Sequence, residues 1–147
     1  MKSIMADIYH QFLINSQIEA VFQAISEPKG LDVWWTKQSA GKPGLGATFE
    51  LYFSPKHDWR ARVTVFKPSL DFQLEMVLAD PDWMGSRIEF NLSAENGKTS
   101  VRFRHTGWPG IDDHYRISCY CWAMYLRLLK RYVEFGEVVP YEERLDV

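Results

Sequence analysis

Cysteine is scarce in this chain of 147 residues: only Cys119 and Cys121 occur. Two positions apart on a helix they point about 200° away from each other, so they cannot bridge one another. A lone Cys-x-Cys without further ligands does not make a zinc site either. Free thiols in a reducing, cytoplasmic setting are the expectation. The histidines His10, His57, His105 and His114 show no His-x-x-x-His or His-Glu-x-x-His spacing, so no metal ion is expected. A charge surplus is missing too. The net charge of −2 leaves no basic excess to hold a phosphate backbone, which argues against nucleic acid as a partner. No segment approaches the run of about 18 apolar residues that a membrane span needs. Residues 1–7 lack the basic start and apolar run of a signal peptide. Gly41 to Gly46 lacks the Gly-Lys-Ser/Thr ending of a phosphate loop and precedes a strand, so no nucleotide or other cofactor is implied.

What is abundant is aromatic. Aromatics make up 15% of the chain and include six Trp. Such bulky side chains fill a core in small numbers, and an excess is the mark of a bulky core, a lined cavity or an interface. The length fits one domain spanning 1–147, able to bury roughly 70% of its unfolded surface without a disulfide or metal.

The order of elements follows from periodicity. Ile4 to Ile14 reads as a strand with Ile8, His10, Phe12 and Ile14 on one face. Ser16-Gln17-Ile18-Glu19 reads as a capping box opening a helix to about Ser26. Pro28 stops that helix, and a short second one follows over Lys29 to Trp35. Then come five segments of period-two alternation: Thr48–Phe53, Trp59–Phe66, Asp71–Leu78, Arg87–Ala94 and Thr99–His105. Val65 and Leu78 fall on the inward face by parity, and Asn96-Gly97 marks a tight hairpin. The pattern predicts an antiparallel meander with one covered face. A helix from about Asp112 to Gly136 is the cover, with Asp112 or Asp113 as its cap. Ile117, Cys121, Met124, Tyr125, Leu128 and Tyr132 recur at steps of three and four and are read as its inner face.

Several short motifs fall in a particular order. Val21-Phe22 follows the serine start, Leu31-x-x-Trp34-Trp35 follows Pro28, and Thr106-Gly107-Trp108 precedes the last helix. That helix carries Trp122-x-x-Tyr125-Leu126-x-x-Leu129. Together these resemble the Bet v 1/START-like (SRPBCC) superfamily, in the branch similar to the C-terminal domain of the activator of Hsp90 ATPase. The resemblance covers nearly the whole chain. It implies an α+β helix-grip fold, with a curved antiparallel sheet of six to seven strands around a long C-terminal helix. The two short helices after the first strand close one end, and a cavity lies between sheet and helix. Members of the superfamily bind lipids, sterols and polyketides, some act as cyclases or aromatases, and some assist a chaperone.

Binding of a hydrophobic or aromatic small molecule is therefore the leading expectation. The ligand-facing set would be Trp35 from the short second helix, Phe49, Leu51, Phe53, Val63, Phe72, Leu74, Phe90, Phe103 and His105 from the sheet, and Cys121, Met124, Tyr125 and Leu128 from the last helix. His105 interrupts an apolar strand face and reads either as a general base near neutral pH or as a satisfied core histidine. Spacing places no nucleophile or paired acid beside it, so no catalytic set is assigned. Tyr120 and Tyr125 are read as hydroxyls directed at the cavity or its rim. Trp83 and Met84 read as caps of the cavity mouth or as an exposed loop tip. A cyclase- or hydrolase-type enzyme using the same cavity is one alternative. A chaperone-associated protein is another, acting through an apolar patch around Trp59, Trp83 and Trp108. A homodimer is compatible with all three.

Overall fold

A computed structural model describes residues 6–147. The chain runs through β1 (Ala6–Ile14), α1 (Ile18–Ser26), α2 (Pro28–Trp34), β2 (Gln38–Ala40), β3 (Thr48–Ser54), β4 (His57–Lys67), β5 (Asp71–Leu78), β6 (Arg87–Glu95), β7 (Lys98–Trp108) and α3 (Asp113–Phe135). A 3-10 helix, Tyr141–Asp146, follows. The first two residues of the expected opening strand, Ile4 and Met5, lie outside the described residues. The seven strands form one antiparallel sheet in the order β1-β7-β6-β5-β4-β3-β2. It is a meander from β2 to β7, onto which β1 adds at the far edge. With α3 as cover and α1 and α2 at one end, this is the α+β helix grip.

Local chemistry accounts for the boundaries. Glu27 is extended (φ −112°, ψ 142°), as the residue before a proline must be, and Pro28 then opens α2 at its first position. Asn96 and Gly97 both take positive φ, 52° and 79°, closing the two-residue hairpin between Glu95 and Lys98. The Tyr115 amide donates to Asp112 Oδ1 at 2.9 Å, and Gly136 ends α3 in the left-handed conformation (φ 69°).

The sequence expectation fails at definable points. α1 is capped at Gln17 with no side-chain hydrogen bond, so the Ser16–Glu19 box does not form. Ser16 instead offers its carbonyl to Thr99 Oγ1 at 2.9 Å. Bulges shift the pairing of β4 and β5 at two places. Val63 faces Leu74 but Val65 already faces Gln73, and Ala61 faces Met76 while Arg60 faces Leu78. Each extra residue reverses the parity of the positions beyond it. Val65 moves to the outer face beside Gln73, Phe66 turns in against Phe22 and Phe72, and Leu78 is left 51% exposed. On α3 the inner face is rotated from the one expected. Its buried residues include Ser118, Trp122, Leu126 and Leu129, whereas Ile117 is 60% exposed. β2, short and at the edge, has no counterpart in the sequence reading.

One hydrophobic cluster joins sheet, α1, α2 and α3. Ile8, Phe49, Leu51, Phe72, Leu74, Phe103 and Trp122 are all but fully buried in it. No helix among the described residues is long and apolar enough to cross a membrane.

Candidate functional site

The space between sheet and α3 is packed along most of its length. Phe49, Leu51, Val63, Phe72, Leu74, Phe90, Phe103 and Leu128, all read as ligand-facing, lie within the hydrophobic cluster and line neither the groove of about 690 Å³ between β1 and α3 nor the smaller pocket nearer the start of α3. Met124 is buried but stands apart from that cluster. An opening survives at the end where the β3–β4 hairpin, the β5–β6 loop, the first half of α3 and the C-terminal 3-10 helix meet. It measures about 230 Å³. Trp35, Phe53, Cys121 and Tyr125 of the expected set are brought together there, joined by Trp59, Trp83, Trp122, His57, His114, Ile117, Ser118 and Tyr141.

Five of these rings form a closed circuit. Trp35 meets Phe53 at 5.6 Å between centroids, Phe53 meets Trp59 at 5.2 Å, and Trp59 meets Trp83 at 4.8 Å. Trp83 stacks on Trp122 at 5.9 Å and 22°, and Trp122 returns to Trp35 at 5.2 Å. These separations fall in the range in which aromatic pairs attract beyond simple burial. The circuit draws on the residue that caps α2, on β3, β4, the β5–β6 loop and α3. An exposed patch around Trp59, Trp83 and Trp108 does not exist: all three indoles are buried. Trp83 is a pocket wall, while its neighbour Met84 is largely exposed.

His105 lies behind this wall. The Trp122 indole N–H donates to its Nδ1 at 3.0 Å. An indole can only donate, so Nδ1 is the unprotonated nitrogen and Nε2–H donates to Ser86 Oγ at 2.8 Å. Ser86 Oγ in turn donates to the Trp83 carbonyl at 2.6 Å. The relay fixes Trp122 and the Trp83–Ser86 turn, two walls of the circuit, to His105 on β7. Burial, with a smaller push from His114, lowers the His105 pKa to about 3, so the ring stays neutral. With both nitrogens engaged in the interior, His105 is a positioning residue.

Polar groups gather at the mouth. His114 Nδ1 lies 3.1 Å from Asp82 Oδ2. His57 Nε2 lies 3.4 Å from Asp80 Oδ2, and its Nδ1 lies 3.0 Å from Ser54 Oγ. Both aspartates belong to the β5–β6 loop, so that loop is tethered to β4 on one side and to α3 on the other. Tyr125 is pushed up to about 12, chiefly by burial, and the Cys121 thiol is raised for the same reason. A thiol held protonated is a poor nucleophile. Tyr120 is 77% exposed and turned away from the pocket, against the expectation for its hydroxyl. No group of three or more His, Cys, Asp or Glu among the described residues is arranged to hold a metal ion.

Sequence reasoning missed Trp59, Trp122, His57, His114, Ser118 and Tyr141 as site residues, while Trp83 was read as a cap of the cavity mouth or an exposed loop tip. A signal was present on α3. Tyr120, Arg127, Arg131 and Glu134 share one side at steps of seven, four and three. The opposite side, with Ser118, Trp122 and Leu129, is the buried one.

Residues 15–134 match the family described as activator of Hsp90 ATPase homolog 1-like protein. The chain belongs to this family. Among solved structures it is similar to the Aha1 dimer from Colwellia psychrerythraea. The identity is 29% over 90% of this chain and 98% of that one, with a TM-score of 0.82. A protein from Mesorhizobium loti shares the fold at 18% identity over 90% and 100% of the two chains, TM-score 0.80. One from Bacillus halodurans does so at 24% over 88% and 97%, TM-score 0.74. None of the curated proteins matches significantly. Membership of the family places the chain in the SRPBCC group, and the relatives and the sheet topology agree on the helix grip.

Proposed function

We propose that residues 1–147 act as one START-like domain that holds a small, flat hydrophobic molecule in the aromatic pocket. The carrying observation is the closed circuit of Trp35, Phe53, Trp59, Trp83 and Trp122 around an opening of about 230 Å³. A dry apolar cavity of about 150 Å³ is enough for benzene, so this one takes one or two fused rings. A sterol or an acyl chain would leave most of its length outside, which narrows the ligand classes the superfamily offers. The deeper sheet residues act as a packed floor. With both nitrogens engaged, His105 does not serve as the base of the cyclase or hydrolase alternative, and binding is the reading the aromatic walls support best.

Tryptophan fluorescence titrated with naphthalene tests this, since four of the five rings in the circuit are indoles. Saturable quenching is expected. Cys121→Trp, which fills the opening from α3, should weaken it at least tenfold. Absence of saturable quenching in the unmodified protein would overturn the reading. Native mass spectrometry of freshly purified protein would then identify any resident molecule.

A second copy of the chain is the partner a separate observation favours. The Colwellia relative is described as a dimer. Here β1 is an edge strand with Tyr9 and Leu13 exposed, beside a groove of about 690 Å³ between β1 and α3. Light scattering that returned a monomer at every concentration would remove this.

A further inference from the structure

We propose that the molecule held in the aromatic pocket carries an aromatic hydroxyl, clamped between His114 and Ser118. This rests on the pocket reading above and adds the ligand's polar chemistry.

His114 and Ser118 stand one helical turn apart on α3, at i and i+4, and both line the pocket. Their polar atoms are complementary. Asp82, a carboxylate and so an acceptor, takes the His114 Nδ1 hydrogen at 3.1 Å. In the neutral ring this leaves Nε2 with a lone pair and no protein partner among the described residues. Ser118 is 6% exposed. Its hydroxyl has no protein partner among the described residues either, although a helical serine has the carbonyl four residues back within reach. The Ser118 Oγ is not one of the side-chain atoms sealed from solvent without a partner, so a ligand in the pocket can reach it and supply one. One atom type satisfies both groups at once: a hydroxyl oxygen that donates its hydrogen to His114 Nε2 and accepts one from Ser118 Oγ.

The surroundings define the rest of the ligand. His57 Nδ1 meets Ser54 Oγ and its Nε2 lies 3.4 Å from Asp80 Oδ2, while the indole N–H of Trp83 is buried in the wall without a partner among the described residues. The other walls are mostly rings, so the hydroxyl must sit at the edge of a flat aromatic body. That describes a phenol or a naphthol. A free carboxylate is a poorer fit, because it would lie close to the Asp82 carboxylate that His114 already meets.

Calorimetric titration with naphthalene and 2-naphthol separates this inference from the pocket reading beneath it. The unmodified protein is expected to prefer 2-naphthol by about tenfold, the return on two net hydrogen bonds. In Ser118→Ala and in His114→Phe the ratio of the two affinities should fall towards one, whatever happens to either affinity alone. Ser118→Ala removes a single oxygen and serves alone should His114→Phe fail to fold. A ratio of one or less in the unmodified protein, or an unchanged ratio in the variants, overturns the hydroxyl clamp while naphthalene binding leaves the pocket standing. If neither compound binds, pocket and clamp fall together.

Discussion

The imidazole of His105 carries a pH dependence that belongs to one residue. Its folded pKa of about 3 lies below the ordinary value of 6.5 because burial penalises the charged ring. The unfolded chain therefore binds the proton first. The stability this group confers is fully present above about pH 6.5 and is lost as pH falls towards the folded value. Between pH 7 and pH 4.5 the loss is about 3 kcal/mol. Urea unfolding of His105→Gln should show a lower stability at pH 7, since the Trp122–His105–Ser86 relay is broken, but a shallower fall to pH 4.5 than the unmodified protein. Equal slopes would mean that the ring is not buried neutral. Strand parity makes the inward direction of His105 legible in the sequence. Its partners are not, because Ser86 and Trp122 lie 19 and 17 positions away on other elements.

The α1–α2 corner sets where Trp34 and Trp35 stand, and a glycine makes it. A Cβ on Gly30 would lie 2.4 Å from the Ala24 carbonyl oxygen, the same atom that accepts the Trp34 indole N–H at 2.9 Å. Alanine would improve helix propensity by up to about 1 kcal/mol, but the clash is with backbone and must be relieved by moving one helix. Overpacking of this kind costs about 1–3 kcal/mol, so Gly30→Ala should lower the midpoint of thermal unfolding by several degrees. A rise would mean that the helices part freely. The elements themselves were largely legible. Alternation marks strands well, and Pro28, Asn96-Gly97 and Asp112 carry their turn and cap chemistry in their side chains. The two bulges were not legible, because one inserted residue changes neither composition nor hydrophobicity. They alone account for the reversed positions of Val65 and Leu78. On α3, apolar residues run almost round the helix between Ser118 and Leu129, so the apolar count left the face ambiguous by one residue, a rotation of about 100°.

The pocket exists only in the whole molecule, because its walls come from segments that the sequence separates and the sheet's curvature reunites. The chain's end supplies one of them. Tyr141 lines the pocket, and Arg144, in the same 3-10 helix, holds it there. The Arg144 guanidinium is buried. It donates to the carbonyls of Asp32 at 2.7 Å, Thr36 at 3.2 Å and Val139 at 3.1 Å, and it lies 5.2 Å from the Tyr141 ring centroid. Two of those carbonyls belong to the end of α2 and the turn after it, so the clamp ties the C-terminal segment to the helix that carries Trp34 and Trp35. Burial draws the Arg144 pKa below its ordinary value, while Tyr125, Tyr141 and Asp32 favour the charge. The fork geometry, with several N–H groups diverging onto separate carbonyls, is something a lysine cannot reproduce. Arg144→Leu should therefore leave carbonyls of the α2 end buried without donors, at a cost of about 2–4 kcal/mol for two such groups. Release of Tyr141 should also weaken naphthalene binding. Arg144→Lys should recover little of either. Hydrogen exchange reads the cause directly: in Arg144→Leu the amides of residues 141–147 should lose protection first, with the β6–β7 core unchanged. Retention of both that protection and the affinity would show that the C-terminal segment stays in place without its arginine, and that the pocket owes nothing to the end of the chain.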